Sequence, residues 1–176
     1  MDVITMAQEN KRRRIMKRKR SLKMNLESYY IPKENISNPK GEDAHFIHKD
    51  YQTIGVADGV GGWTQRGVDA GKYARELMEN CAIKVAVKEG DILVVGTDGL
   101  FDNMFVSEMK EIISNVEGDG LTPKDLAWTL AEVASYNSLD KDGDTPFAQT
   151  KRFAGRGQDK GGKVDDITVI VAYIVL

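Results

Sequence analysis

Two short runs of this sequence end an apolar segment on Asp-Gly. In QTIGVADGVGGW (Gln52–Trp63), Asp58 follows Ile54, Val56 and Ala57, and three of the next four residues are glycine. In DILVVGTDGLFDN (Asp91–Asn103), Asp98 and Gly99 close the run Ile92–Val95. A third acid, Asp165, stands directly before the last apolar run, DITVIVAYIVL. Acids at strand ends can converge on one edge of a sheet although the chain between them is long. Carboxylates brought together repel one another, so such a cluster requires a cation. All-oxygen ligands select a hard ion such as Mg2+ or Mn2+ rather than zinc. A glycine after the acid allows a sharp turn and brings a backbone carbonyl within reach of the ion. The alternative is that Asp-Gly is an ordinary turn signal.

The elements that would position these acids alternate between strands and helices. AHFIH (Ala44–His48), TIGVAD (from Thr53) and DILVVGTD (from Asp91) read as short strands, and the C-terminal run, rich in β-branched residues, as a long one. Ala70, Tyr73, Ala74, Leu77, Met78 and Cys81 fall on one face of a helix expected over Val68–Cys81. Met109, Ile112, Ile113 and Val116 have helical spacing. A further helix is expected over Pro123–Ser135, with Thr122 as N-cap, Pro123 in the first turn and Asp125 complementing the dipole. Ser138–Lys163 reads as one long loop. The strands at TIGVAD, ILVVGTD and ITVIVAYI are expected to neighbour one another.

The chain has 176 residues, 41% hydrophobic and 30% charged, enough for one domain with a proper core. One cysteine, Cys81, excludes an internal disulfide and suits a reducing compartment. No apolar stretch approaches the ~20 residues of a membrane span, and no apolar segment marks a secretory signal, so no membrane association is expected. The net charge of −2 conceals an asymmetry. The first 20 residues hold 8 basic and 2 acidic side chains, and the remainder 17 basic and 25 acidic, a net of −8. The acidic body argues against nucleic acid as a partner. The head KRRRIMKRKR (Lys11–Arg20) reads either as a nuclear localisation or nucleic-acid patch, or as a solvated, disordered tail. The compartment is thus open between nucleus and cytoplasm. The organisation expected is a basic, disordered head over 1–25 and a domain over 26–176.

Several segments imitate sites. DKDGD (Asp140–Asp144) opens like an EF-hand loop, but Thr145 stands where glycine is needed and Lys151 where the bidentate glutamate is needed. GVDAGKY is one residue short of a phosphate-binding loop, and Tyr73 replaces its hydroxyl residue. His45 and His48, three apart in a strand, point to opposite faces and do not form a metal pair. Trp63 and Trp128 read as core or rim packing, and Cys81 as buried.

GEDAHF (Gly41–Phe46), ADGVGGW, GTDGLFDN and DDITVIV occur in the order typical of the metal-dependent protein phosphatase 2C family, which the chain therefore resembles from about Leu26 onward. GVDAGKYARELM and TPF (Thr145–Phe147) resemble its plant and mitochondrial branch. The resemblance implies an α+β fold, a β-sandwich flanked by helices. It also implies a serine/threonine phosphatase acting on phosphorylated protein substrates as a monomer, with a centre of two Mg2+ or Mn2+ ions. It implies that Asp58 bridges both ions, that the Gly59 carbonyl binds one, and that Asp98 and Asp165 hold the other. Asp165 is preferred to Asp166 because the family ligand directly precedes a position where Asn is usual. Glu42 and Asp43 would act through water. Catalysis would rest on Asp58, Asp98 and Asp165, since two ions activate a water for in-line attack on phosphorus.

The sequence departs from the family in three places. Val60 stands where many members carry His. Asn38 and Lys40 lie where many carry a phosphate-binding Arg, and Lys40 would offer only a point charge. After ELMENC the chain passes through AIKVAV straight to KEGDILVVGTDG, so the middle of the sandwich is missing and the fold incomplete. Four strands are too few for two full sheets. Two classes of function follow: a metal-dependent phosphatase, or a non-catalytic truncated relative that binds partners or competes for substrates.

Overall fold

A computed structural model describes residues 21–34, 39–59, 69–78, 86–116, 120–155 and 160–176. The basic head up to residue 20, Asn38, Val60, Trp63 and Cys81 lie outside these residues.

The architecture grows from the last strand. β5 (Ile167–Val175) is a run of β-branched residues, and Ile167 to Ala172 are all buried. A strand apolar on both faces must be central. β1 (Lys23–Ile31) pairs with it antiparallel on one side, Lys23 opposite Val175 and Ile31 opposite Ile167. β4 (Ile92–Gly96) pairs antiparallel on the other, Ile92 opposite Tyr173 and Gly96 opposite Val169. The order of this sheet is β1-β5-β4. A second sheet is the hairpin of β2 (Ala44–His48) and β3 (Thr53–Ala57), with Ala44 opposite Ala57.

Period-two alternation along β5 divides the core. Ile167, Val169 and Val171 point towards α4 (Pro123–Leu139) and meet Leu126, Ala127, Leu130, Ala131 and Ala134. The alanines let the helix lie close to the sheet, and each fully buried Leu, Ile or Val contributes about 1.5–3 kcal/mol. Leu100 and Met104, from α2 (Asp98–Phe101) and the turn after it, and Met109 of α3 (Val106–Val116) complete this cluster. The opposite face of the sheet meets the hairpin, where Ser28 Oγ lies 3.0 Å from His45 Nε2. The hairpin and α1 (Ala70–Met78) share a far smaller core of Ala44, Ala57 and Ala74, with Leu77 against it. Helices thus flank two sheets, as the family resemblance implies.

Thr122 caps α4 through a reciprocal box: its hydroxyl accepts from the Asp125 N–H at 3.3 Å and its own N–H donates to Asp125 at 3.0 Å. The helix runs four residues beyond the expected Ser135. α1 falls within the expected Val68–Cys81.

Three expectations are corrected. The stretch Ser138–Lys163 is not one loop, because α5 (Pro146–Phe153) lies within it, capped by Thr145, whose hydroxyl accepts from the Ala148 N–H. The strand count rises from four to five among the described residues: β1 was missed because its alternation, Met24-Asn25-Leu26-Glu27, breaks at Ser28. The TIGVAD strand does not join the other two in one sheet. Among the described residues β3 pairs only with β2, and ILVVG and ITVIVAYIV share the larger sheet. Trp128 is about half exposed, so it packs at the rim rather than in the core.

Candidate metal centre

The expected acids come from four chain segments, and the fold brings them together. Asp58 follows β3, Asp98 opens α2 two residues after β4, Asp165 precedes β5, and Glu42 and Asp43 precede β2. The separation of β3 into its own sheet does not separate Asp58 from Asp98, because the site lies where the ends of the two sheets meet.

Two buried carboxylates make that junction. Asp43 accepts hydrogen bonds from the Thr97 hydroxyl at 2.6 Å and the Thr168 hydroxyl at 2.7 Å. Thr97 and Thr168 are themselves joined, the Thr97 N–H donating to the Thr168 carbonyl and the Thr168 N–H to the Thr97 hydroxyl, both at 3.2 Å. The start of β2 is thereby fixed to the end of β4 and the start of β5. Asp166, 1% exposed, accepts from the N–H groups of Lys33 at 2.6 Å, Asp43 at 3.3 Å and Glu42. It anchors the segments on either side of residues 35–38 to β5. The Tyr30 phenol donates to the Lys40 carbonyl at 3.0 Å; burial and the charge of Asp166 raise its pKa well above the ordinary value, so it stays protonated. Close packing fixes Gly99, where a Cβ would overlap the Asp166 carbonyl. Gly41, at φ +69°, lies in the left-handed region, and a Cβ there would meet the Tyr30 hydroxyl.

Charge at the mouth is dense. The Asp58 carboxyl is pushed up to about 8, first by partial burial, then by the adjacent Asp98 carboxylate, and by the charges of Asp43 and Asp165. Burial raises Asp43 to about 6, although its two threonine donors oppose the shift. Two lysines answer the acids. Lys33 Nζ pairs with Glu42 and with Asp165, each at 2.9 Å. Lys163 Nζ pairs with Asp98, with Asp102 at 3.1 Å and with Asp165 at 3.0 Å. Burial would raise Asp165, but Lys33 and Lys163 prevail and hold it below the ordinary carboxylate value.

The donor chemistry fits a hard divalent cation. The groups are all oxygen, they come from separate segments, and Asp98 Oδ1 is buried without a hydrogen-bond partner. The arrangement is nevertheless that of a lysine-neutralised cluster. Among the described residues, no three acids, histidines or cysteines stand around one point as metal ligands would.

Gly59 is buried directly after Asp58. Lys40 is exposed, and the cation that reaches the cluster from this part of the chain is Lys33. The sequence reading missed Lys33, Lys163, Asp102, Thr97 and Thr168. The threonines carried a signal, since each sits within three residues of a candidate acid at a strand end. The lysines carried none, because a solvent-facing lysine and one folded onto acids look alike in sequence.

No family model matches the sequence. Individual proteins do. The chain is 29% identical over 244 aligned positions to "Probable protein phosphatase 2C 55" of Arabidopsis thaliana, covering 87% of this chain and 52% of that protein. It is 28% identical over 247 positions to "Probable protein phosphatase 2C 80" of the same plant, covering 88% and 59%. The chain thus spans little more than half the length of these relatives. In the first alignment 87% of 176 residues is about 153, so roughly 90 of the 244 positions have no counterpart here. The fold matches the X-ray structure of the photosystem II phosphatase PBCP at a TM-score of 0.73 and 24% identity, covering 87% of this chain and 98% of that one. In sequence the chain is similar to proteins named protein phosphatase 2C, and its fold is that of the PBCP structure.

Proposed function

We propose that this chain is a Mg2+- or Mn2+-dependent protein serine/threonine phosphatase domain, acting on phosphoserine and phosphothreonine in protein substrates. The observation that carries this reading is the convergence of Asp58, Asp98 and Asp165 with Glu42 and Asp43 at one sheet junction, next to a buried carboxylate oxygen that lacks a donor. In this reading Asp58, the Gly59 carbonyl, Asp98 and Asp165 would hold the ions, and Glu42 and Asp43 would act through water. Bound ions would supply Lewis-acid activation of a water and offset charge on the phosphoryl oxygens.

The chain's own residues do the rest. Asp43, held by Thr97 and Thr168, fixes the height of β2 against the sheet and so the reach of Glu42. Asp166 sets the backbone of residues 42 and 43. Lys33, at the edge of the acids, offers a point charge for the phosphoryl group in the role first considered for Lys40.

A second reading is a non-catalytic relative that binds or competes for phosphoproteins. It is favoured by the roughly 90 unmatched alignment positions and by the lysines seated among the acids. Hydrolysis of a phosphothreonine peptide and of p-nitrophenyl phosphate, with Mn2+ and with EDTA, separates the two. The phosphatase reading expects Mn2+-dependent phosphate release that Asp58→Asn abolishes. Release at the level of the Asp58→Asn variant, with Mn2+ present, contradicts it and leaves the binding role.

A further inference from the structure

Lys163 does not reach the acids by chance of an unanchored surface chain. Its backbone is clamped by one buried side chain: its N–H donates to Asn103 Oδ1 at 2.8 Å, and its carbonyl accepts from Asn103 Nδ2 at 2.8 Å. Asn103, 1% exposed, also donates to the Gly99 carbonyl at 2.9 Å, and the Asn103 carbonyl accepts from Asn137 of α4 at 3.0 Å. The preceding glycines are packed as tightly. Gly161 has φ +100° and donates to the Gly143 carbonyl at 2.7 Å, while a Cβ on Gly162 would overlap the Asn137 carbonyl. This scaffold delivers the Lys163 ammonium to Asp98 and Asp165, the same two carboxylates that the metal reading assigns to one ion.

We propose that Lys163 is an internal counter-ion occupying the place between Asp98 and Asp165, so that a divalent cation binds there only by displacing the lysine side chain. This deepens the metal reading above and depends on it. An Mg2+ ion ligated by these oxygens at about 2.0–2.1 Å would leave no room for an ammonium at hydrogen-bond distance from the same atoms. The two like charges would also repel strongly so close together. Displacement is open to Lys163 because its ammonium is tethered by a flexible four-carbon stem, its side chain is 29% exposed, and its neighbour Val164 faces solvent. The driving force is charge. Among the described residues, Lys33 and Lys163 are the lysines seen paired with Glu42, Asp98, Asp102 and Asp165, while Asp43, Asp58 and Asp166 add carboxylates to the same junction, and Asp98 Oδ1 is buried without a hydrogen-bond partner.

The folded chain itself provides the first test. Amine acylation by an N-hydroxysuccinimide ester, quantified by peptide mass spectrometry, is followed in EDTA and in Mg2+, with exposed Lys110 on α3 as internal reference. Mg2+ is expected to speed modification of Lys163 severalfold and leave Lys110 unchanged. The second test is Lys163→Met. It is expected to lower the melting temperature in EDTA, to enlarge the rise produced by Mn2+, and to tighten Mn2+ binding severalfold by titration calorimetry. Equal Mn2+ binding by the two chains, with Lys163 labelling indifferent to Mg2+, overturns the lysine proposal and leaves the metal reading standing. No Mn2+ binding by either chain overturns both.

Discussion

At the residue scale, the site depends on carboxylates whose neighbours differ. Asp43 is buried and held by two hydroxyls, so Asp43→Ala should cost about 2–3 kcal/mol in stability, read as a lowered denaturation midpoint, because it strips partners from Thr97 and Thr168. The Asp58 and Asp43 pKa values, about 8 and about 6, lie above the 3.8 of a free side chain. Such acids hold their proton more firmly in the folded chain, so their contribution to stability falls as pH rises through the window. Metal-free stability should therefore decline between about pH 4 and pH 8, and Asp58→Asn should flatten the upper part of that decline. His45, lowered by burial, acts in the opposite sense near its ordinary value. The comparison with Asp58→Asn cancels its effect. Unfolding curves across that range for both chains check the prediction.

The acids were legible in sequence because each ends or opens an apolar run, a local pattern that fixes where the side chain emerges. Their partners were not. Thr97 and Thr168 reach Asp43 across 54 and 125 residues, Lys33 reaches Asp165 across 132 and Lys163 reaches Asp98 across 65, and no local pattern encodes these contacts.

At the element scale, the two halves are unequally supported. β5 and α4 share a core of large side chains, whereas the hairpin and α1 share three alanines and a leucine. Amide exchange should accordingly be slowest in β5 and its neighbours and markedly faster in β2, β3 and α1. Equal protection in both would contradict this division. Gly99→Ala should destabilise severely, because its Cβ would strike the Asp166 carbonyl and push α2 from the start of β5. Helices were legible from caps and periodicity, as Thr122 with Asp125 shows for α4. The Thr145-Pro146 start of α5 had the same form but was absorbed into a presumed loop. Pairing was less legible: the short run TIGVA is equally apolar in either sheet, and only long-range register places it with β2.

At the scale of the whole molecule, roughly 90 positions of the first alignment have no counterpart in this chain. The motif order implied by the family resemblance puts them between Cys81 and Lys88. A site braced by fewer strands should turn over phosphothreonine peptide well below a full-length relative, since a misplacement of about 1 Å costs ~100-fold. Grafting the relative's middle segment between Cys81 and Lys88 should raise the rate. The central claim is that the acids bind a cation in the folded state. The melting temperature in EDTA and in millimolar Mn2+, for the chain and for Asp58→Asn, tests it most directly. A ligand at about 100 times its Kd stabilises by about 2.7 kcal/mol, so the account predicts a rise of several degrees that Asp58→Asn removes. A melting temperature identical in Mn2+ and EDTA would contradict it.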